Sequence, residues 1–118
     1  NIVFKKFKSK NVYVIGFSLG ALVCYEYICS INKPLGGIFP IAGFMRSDNV
    51  NINENQIKTP IVIGHGKSDS IVPIKRSEEA YRNLREQNAN VELIKYEAQH
   101  NIPISMLTQI SLKIENKV

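Results

Sequence analysis

The sequence predicts an α/β fold, with a parallel sheet of about four strands and helices flanking it. Three observations carry the prediction. Short apolar runs alternate with segments of helical periodicity along the chain. The runs are continuous rather than alternating, as in strands covered on both faces. Serine, aspartate and histidine residues suited to chemistry follow these runs, at what would be the carboxyl edge of the sheet, where open α/β sheets place their sites.

The first strand is read over Val12 to Ile15. Leu19 to Ile31 follows as a helix, with Leu22, Val23, Tyr25, Tyr27 and Ile28 and a single charge, Glu26. A helix apolar nearly all round is a buried one. Gly20 and Ala21 would let it pack close to the sheet, and Asn32-Lys33-Pro34 ends it. Gly36 to Ala42 is the second strand. Pro40 lies inside it and has no amide proton, so a bulge or an early end to pairing is expected there. Phe44 to Thr59 is polar, with asparagines at 49, 51, 53 and 55. A stretch of that length without periodicity is expected to be functional or mobile. Ile61 to Ile63 is the third strand. Pro73 to Asn88 is an amphipathic helix with Ile74, Ala80, Tyr81 and Leu84 on one face and a Glu78–Arg82 pair on its surface. Val91 to Tyr96 is the fourth strand. Ile104, Leu107, Ile110 and Ile114 mark a last helix, with Pro103 suited to its first turn. Residues 1–118 are read as one domain, and an incomplete one.

Composition narrows the class. Hydrophobic content of 44% and charged content of 21% are those of an ordinary globular chain. No apolar stretch approaches the roughly 20 residues that cross a bilayer, and the start lacks the features of a signal peptide. Cys24 and Cys29 point to different sides of a helix and are not expected to pair. Free thiols fit a reducing compartment, so a cytoplasmic protein is expected. No Cys/His cluster has zinc spacing, so no metal is expected. The net charge of +5 comes from scattered lysines and arginines without an aromatic ladder, which argues against a nucleic-acid partner. The densest basic cluster is Lys5, Lys6, Lys8 and Lys10. Val3, Phe4 and Phe7 lie among them at helical spacing and read as the end of an amphipathic helix with a solvated basic side.

Directly after the first strand stands Gly16-Phe17-Ser18-Leu19-Gly20, a G-x-S-x-G between strand and helix. This is the pattern of a nucleophile elbow. The turn is so tight that residues two before and two after the serine must lack bulk, and it holds the serine in a strained conformation with its hydroxyl clear of the sheet. The plainer alternative is a serine that only caps the following helix. Asp69 lies in His65-Gly66-Lys67-Ser68-Asp69-Ser70-Ile71-Val72-Pro73, and His100 follows the fourth strand. The order Ser, Asp, His suits a catalytic triad, with Ser18 as nucleophile, His100 as base and Asp69 as orienter. Asp69 is also suited to forming a turn with Ser68 and Ser70. His65 is the alternative base, and Asp48, in the asparagine-rich stretch, is the only other aspartate. One oxyanion donor would be the backbone N–H of Leu19 at the helix start. Phe44, Met45, Ile71 and Val72 are candidates to line an acyl pocket or simply to pack.

These stretches, with Gly36-Gly-Ile-Phe-Pro-Ile-Ala-Gly43, give the chain a specific resemblance. It resembles the carboxyl-terminal part of the carboxylesterase and acyl-protein thioesterase branch of the α/β-hydrolases. The resemblance implies the carboxyl-terminal half of that fold and cleavage of carboxylic esters or thioesters through an acyl-enzyme, without metal or organic cofactor. It implies small-molecule, lipid or acyl-protein esters as substrates. It gives the base role to His100 and leaves His65 to the structure of the acid loop. Where the family commonly has glutamine and a second glycine after the serine, this chain has Leu19, and Ala21 after Gly20. The family's earlier strands and the loop with its other oxyanion donor have no counterpart here. A second reading is therefore a catalytically weak or inactive hydrolase-like domain serving in interactions. In either reading the first strand, Val12 to Ile15, would present an unpaired apolar edge, from which homodimerisation or poor solubility is expected if this chain stands alone.

Overall fold

A computed structural model describes residues 8–46 and 50–116. Its strands are β1 (Tyr13–Phe17), β2 (Gly37–Ile41), β3 (Ile61–Gly66) and β4 (Val91–Tyr96). They form one parallel four-stranded sheet in the order β1-β2-β3-β4. The helices are α1 (Leu19–Ser30), α2 (Ile74–Glu86) and α3 (Ile104–Glu115). The expected α/β architecture is therefore observed. The basic segment around Val3, Phe4 and Phe7, together with Asp48, lies outside the described residues.

The side-chain period of two along each strand divides the core between the two faces of the sheet. Ile38, Ile61 and Ile63 point to one face and meet Ala21, Cys24, Tyr25 and Ile28 of α1 and Ala80 and Leu84 of α2. Phe39, Ile41 and Val62 point to the other and meet Met106 and Ile110 of α3. Helices on both faces explain why β2 and β3 read as unbroken apolar runs; every residue of both strands is buried.

Three expectations need correction. Pro40 neither bulges β2 nor ends it. The β1 register runs through Gly16↔Pro40 to Phe17↔Ile41, and the offset to β3 is the same at Ile38↔Ile61 and Ile41↔Gly64. The N–H groups of Ile38 and Ala42 point to β3. The donor that proline lacks is thus one bond on that side alone, and the neighbouring bonds hold the register.

The stretch from Phe44 to Thr59 is not simply a free loop. Gln56 is fully buried, and its amide donates to the carbonyls of Ile31 and Lys33 while its oxygen accepts from Leu35 N–H and Thr59 Oγ1. Gln87 likewise accepts from Ile52 N–H and donates to Val50 O. Two glutamines thereby satisfy backbone groups that no strand or helix pairs.

The third correction concerns Gly20. A Cβ added there would meet nothing within 4 Å, whereas one on Gly16 would lie 2.1 Å from the Gly20 carbonyl oxygen. Of the two glycines of the motif, only Gly16 is sterically required among the described residues.

β1 is an edge strand. The N–H of Ser18 bonds to Ile41 O, and Val12 O accepts from Gly36 N–H, so the even-numbered residues face β2. The backbone groups of Tyr13, Ile15 and Phe17 consequently face away from the sheet. Ile15 is 51% exposed on the face of the sheet shared with Phe39, and on the opposite face Leu19, Val23 and Tyr27, at four-residue spacing on α1, are exposed as well. Among the described residues no helix is long and apolar enough to cross a membrane.

Candidate active site

Three loops at the carboxyl ends of β1, β3 and β4 build the site. At the end of β1 the chain must reverse within one residue to enter α1. Ser18 absorbs that reversal at φ 58°, ψ −113°, a region that side-chain-bearing residues seldom occupy. The expected strain at this position is thus present. Its hydroxyl makes no capping bond to α1. Instead Ser18 Oγ lies 3.1 Å from His100 Nε2. The helix-cap alternative for this serine does not describe its geometry.

His100 sits in the loop between β4 and α3. Tyr96 Oη donates to Asn101 O at 3.0 Å and ties that loop to the end of β4. Gly66 lets it come close, since a Cβ there would lie 2.4 Å from the carbonyl oxygens of Ala98 and Gln99. His100 Nδ1 donates to Asp69 Oδ2 at 2.7 Å. A carboxylate only accepts, so Nδ1 carries the proton and Nε2 is left to accept from the Ser18 hydroxyl.

Asp69 also makes a turn through its other oxygen, but its partners are Ile71 and Val72 rather than the expected Ser68 and Ser70. Oδ1 accepts from Ile71 N–H at 2.9 Å and from Val72 N–H at 2.8 Å. Its side chain has no exposed surface. Burial pushes its carboxyl upward, but the hydrogen bonds from His100, Val72 and Ile71 outweigh burial and hold it below the usual carboxylate range. Asp69 is therefore an anion at neutral pH, able to fix the imidazole and to stabilise its charged form.

Leu19 is the first residue of α1, so its N–H has no partner within the helix and points from the positive end of the helix dipole. The four apolar candidates lie in different settings. Ile71 is 69% exposed beside the acid loop, and Val72 is half-buried in it. Phe44 is half-buried, with the Arg76 guanidinium 5.0 Å from its ring centre. Met45 is buried in the core shared by α1 and α2.

His65, the alternative base, is fully buried and lies at hydrogen-bond distance from Ser77 and Val72 rather than Ser18. One contact escaped sequence reasoning. The Phe17 ring lies 4.9 Å from the His100 ring and covers one side of it. Its position next to the serine was visible, but strand alternation does not tell which distant loop it will meet. The cysteines take no part. Burial pushes the Cys24 thiol up to about 12 and the Cys29 thiol up to about 11, so neither is a thiolate at neutral pH. Among the described residues no group of His, Cys, Asp and Glu could hold a metal ion.

Comparison with known proteins gives consistent results. A family model described as Phospholipase/Carboxylesterase matches residues 2–117. Acyl-protein thioesterase 1 of Kluyveromyces lactis is 37% identical over 75 residues, covering 60% of this chain and 33% of that protein. A probable inactive carboxylesterase of Oryza sativa is 28% identical over 91 residues, covering 75% of this chain and 37% of that protein. The crystal structure of Arabidopsis thaliana SOBER1 superposes with a TM-score of 0.90 at 24% identity, covering 98% of this chain and 57% of that one, which establishes the shared fold. The chain thus spans well under half of each of these two relatives and somewhat more than half of the solved structure.

Proposed function

Because the chain belongs to the phospholipase/carboxylesterase family of α/β-hydrolases, we propose that it cleaves carboxylic esters or thioesters through an acyl-enzyme on Ser18. The observation that carries this reading is the hydrogen-bonded line from Ser18 Oγ to His100 Nε2 and from His100 Nδ1 to Asp69 Oδ2.

In this reading His100 takes the Ser18 proton as Oγ attacks the acyl carbon, and Asp69 steadies the imidazolium that forms. The Leu19 N–H donates to the developing oxyanion. His100 then passes its proton to the leaving alcohol or thiol. Water repeats the sequence on the acyl-enzyme, with His100 again as base, and frees the acid. An acyl chain would meet Ile71, which has free surface, and the half-buried Val72 and Phe44, while Met45 has spent its surface on the core. No metal or organic cofactor enters these steps. Cys24 and Cys29 are both free, which suits a cytoplasmic location.

A second reading, a weak or inactive hydrolase-like domain, is suggested by the likeness to a probable inactive carboxylesterase of Oryza sativa. The chain would then be acylated without efficient turnover and would serve in interactions. Burst kinetics with a p-nitrophenyl ester and an acyl thioester separate the two. The hydrolase reading expects a stoichiometric burst followed by steady release. A burst without a steady phase supports the weak or inactive domain, and neither burst nor steady release removes the acyl-enzyme.

Self-association belongs to the same proposal. The edge of β1, with Ile15 exposed on one face of the sheet and Leu19 and Val23 exposed on the other, is expected to pair with a second copy. Sedimentation should show a dimer or larger species, with Ile15→Lys shifting it toward monomer. A monodisperse wild-type monomer would contradict this.

A further inference from the structure

The polar groups behind Asp69 form a second line that the proposed chemistry does not use. His65 Nε2 lies 2.6 Å from the carbonyl oxygen of Val72, and His65 Nδ1 lies 2.6 Å from Ser77 Oγ. Both side chains are fully buried. A carbonyl oxygen only accepts, so Nε2 carries a proton, and in the neutral ring Nδ1 then accepts from the Ser77 hydroxyl. The same Nε2 lies 3.4 Å from Asp69 Oδ2, the oxygen that meets His100. The acid therefore stands between two imidazoles with their protons on opposite nitrogens, Nε2 on His65 and Nδ1 on His100.

The placement follows from the chain. His65 is in β3 and Ser77 is in the first turn of α2, so the two bracket the loop that carries Asp69. Within that loop Asp69 binds the amides of Ile71 and Val72, and His65 binds the carbonyl of Val72. The turn is thus held from inside by the acid and from below by the histidine. A buried imidazole able to rotate would release Val72 and, with it, the acid.

We propose that Ser77 and His65 are a positioning pair for Asp69: the Ser77 hydroxyl fixes the ring of His65, and His65 fixes the turn that presents the acid to His100. Its catalytic consequence rests on the triad reading above, whereas the geometry it predicts does not. Burying two polar groups for packing alone would leave the state of His100 independent of them. Here His100 owes its Nδ1–H form to an acid held by that pair.

Nitrogen-15 NMR of the histidine rings in the full chain tests this. The chain has two histidines, so wild type is expected to show one Nε2–H ring and one Nδ1–H ring. In His65→Leu the remaining ring, His100, is expected to lose its exclusive Nδ1–H signature. Phosphonylation of Ser18 by a fluorophosphonate is expected to slow by about 10- to 100-fold, the scale of a small misplacement of reacting groups. His65→Gln, whose amide N–H can serve the Val72 carbonyl, is expected to restore both. Should His65→Leu fail to fold, Ser77→Ala, which deletes only a hydroxyl, decides, with a shifted His65 Nδ1 signal and a weakened His100 Nδ1–H signature expected. A His100 signal unchanged in the variant that folds overturns the proposal. If His100 responds as expected while Ser18 is inert to the fluorophosphonate in every protein, the positioning role stands and the ester-cleavage reading falls.

Discussion

Replacing His100 by alanine is expected to slow phosphonylation of Ser18 by about 10²–10⁴-fold, the contribution of a positioned general base. The reason lies in the proton. A serine hydroxyl is a weak nucleophile at neutral pH and needs an acceptor for its proton as it attacks. Nε2 of His100, at 3.1 Å, is the basic nitrogen bonded to Ser18 Oγ. Nδ1 is occupied by its proton and Asp69, so the ring has one free lone pair and it faces the serine. His65→Ala is not an equivalent control, because His65 has its own buried contacts to Val72 and Ser77. Time courses of probe incorporation in wild type and His100→Ala check the expectation. Equal rates would mean that the histidine is a neighbour of the serine and not its base.

Gly16→Ala is expected to destabilise the fold by about 3 kcal/mol or more, at the upper end of overpacking substitutions. The new methyl group would lie 2.1 Å from the Gly20 carbonyl oxygen, 2.4 Å from its carbon and 2.8 Å from Cys24 Sγ. The first two are backbone atoms of α1 and cannot turn aside as a side chain can. α1 would have to lift from β1, taking Ser18 and the Leu19 N–H with it. Gly20→Ala is the contrasting substitution. It enters open space within a helix and should be neutral or stabilising by up to about 1 kcal/mol. Urea denaturation of the two variants beside wild type measures both effects. A Gly16→Ala protein as stable as wild type would show that the elbow has slack. The resemblance of G-x-S-x-G to a rule of two glycines thus hides a difference between them, because a sequence pattern shows which residues are small but not which direction is blocked.

Much of the fold was legible because it rests on local physics. Strands buried on both faces leave continuous apolar runs, and Val91 to Tyr96 was readable to the residue. Other features depend on partners far away in the chain. β3 extends through Gly64, His65 and Gly66, beyond the Ile61 to Ile63 read from the sequence, because Ile94, Lys95 and Tyr96 of β4 continue the ladder beside them. Gln56 and Gln87 look like surface residues until the carbonyls and amides they serve are in place. Pro40 reads as a strand breaker, yet the missing donor costs one bond between strands that are otherwise tightly packed.

The candidate site divides in the same way. Ser18, Asp69 and His100 were marked by order and by their places after strands. That Ser18 would forgo capping, that Phe17 would cover the imidazole, and that Ser77 would stand behind the acid were not. Each of those depends on how three loops from separate crossovers meet. The same dependence makes the acid loop sensitive to residues outside the line of proton transfer, since Asp69 gives one oxygen to its own turn and the other to His100.

The most direct test is mass spectrometry of the folded chain after reaction with a fluorophosphonate. A single phosphonyl adduct on the peptide bearing Ser18, absent from Ser18→Ala and from heat-unfolded protein, is the predicted result. Native protein that stays unmodified, or an adduct that persists in Ser18→Ala, would contradict an activated serine at the end of β1.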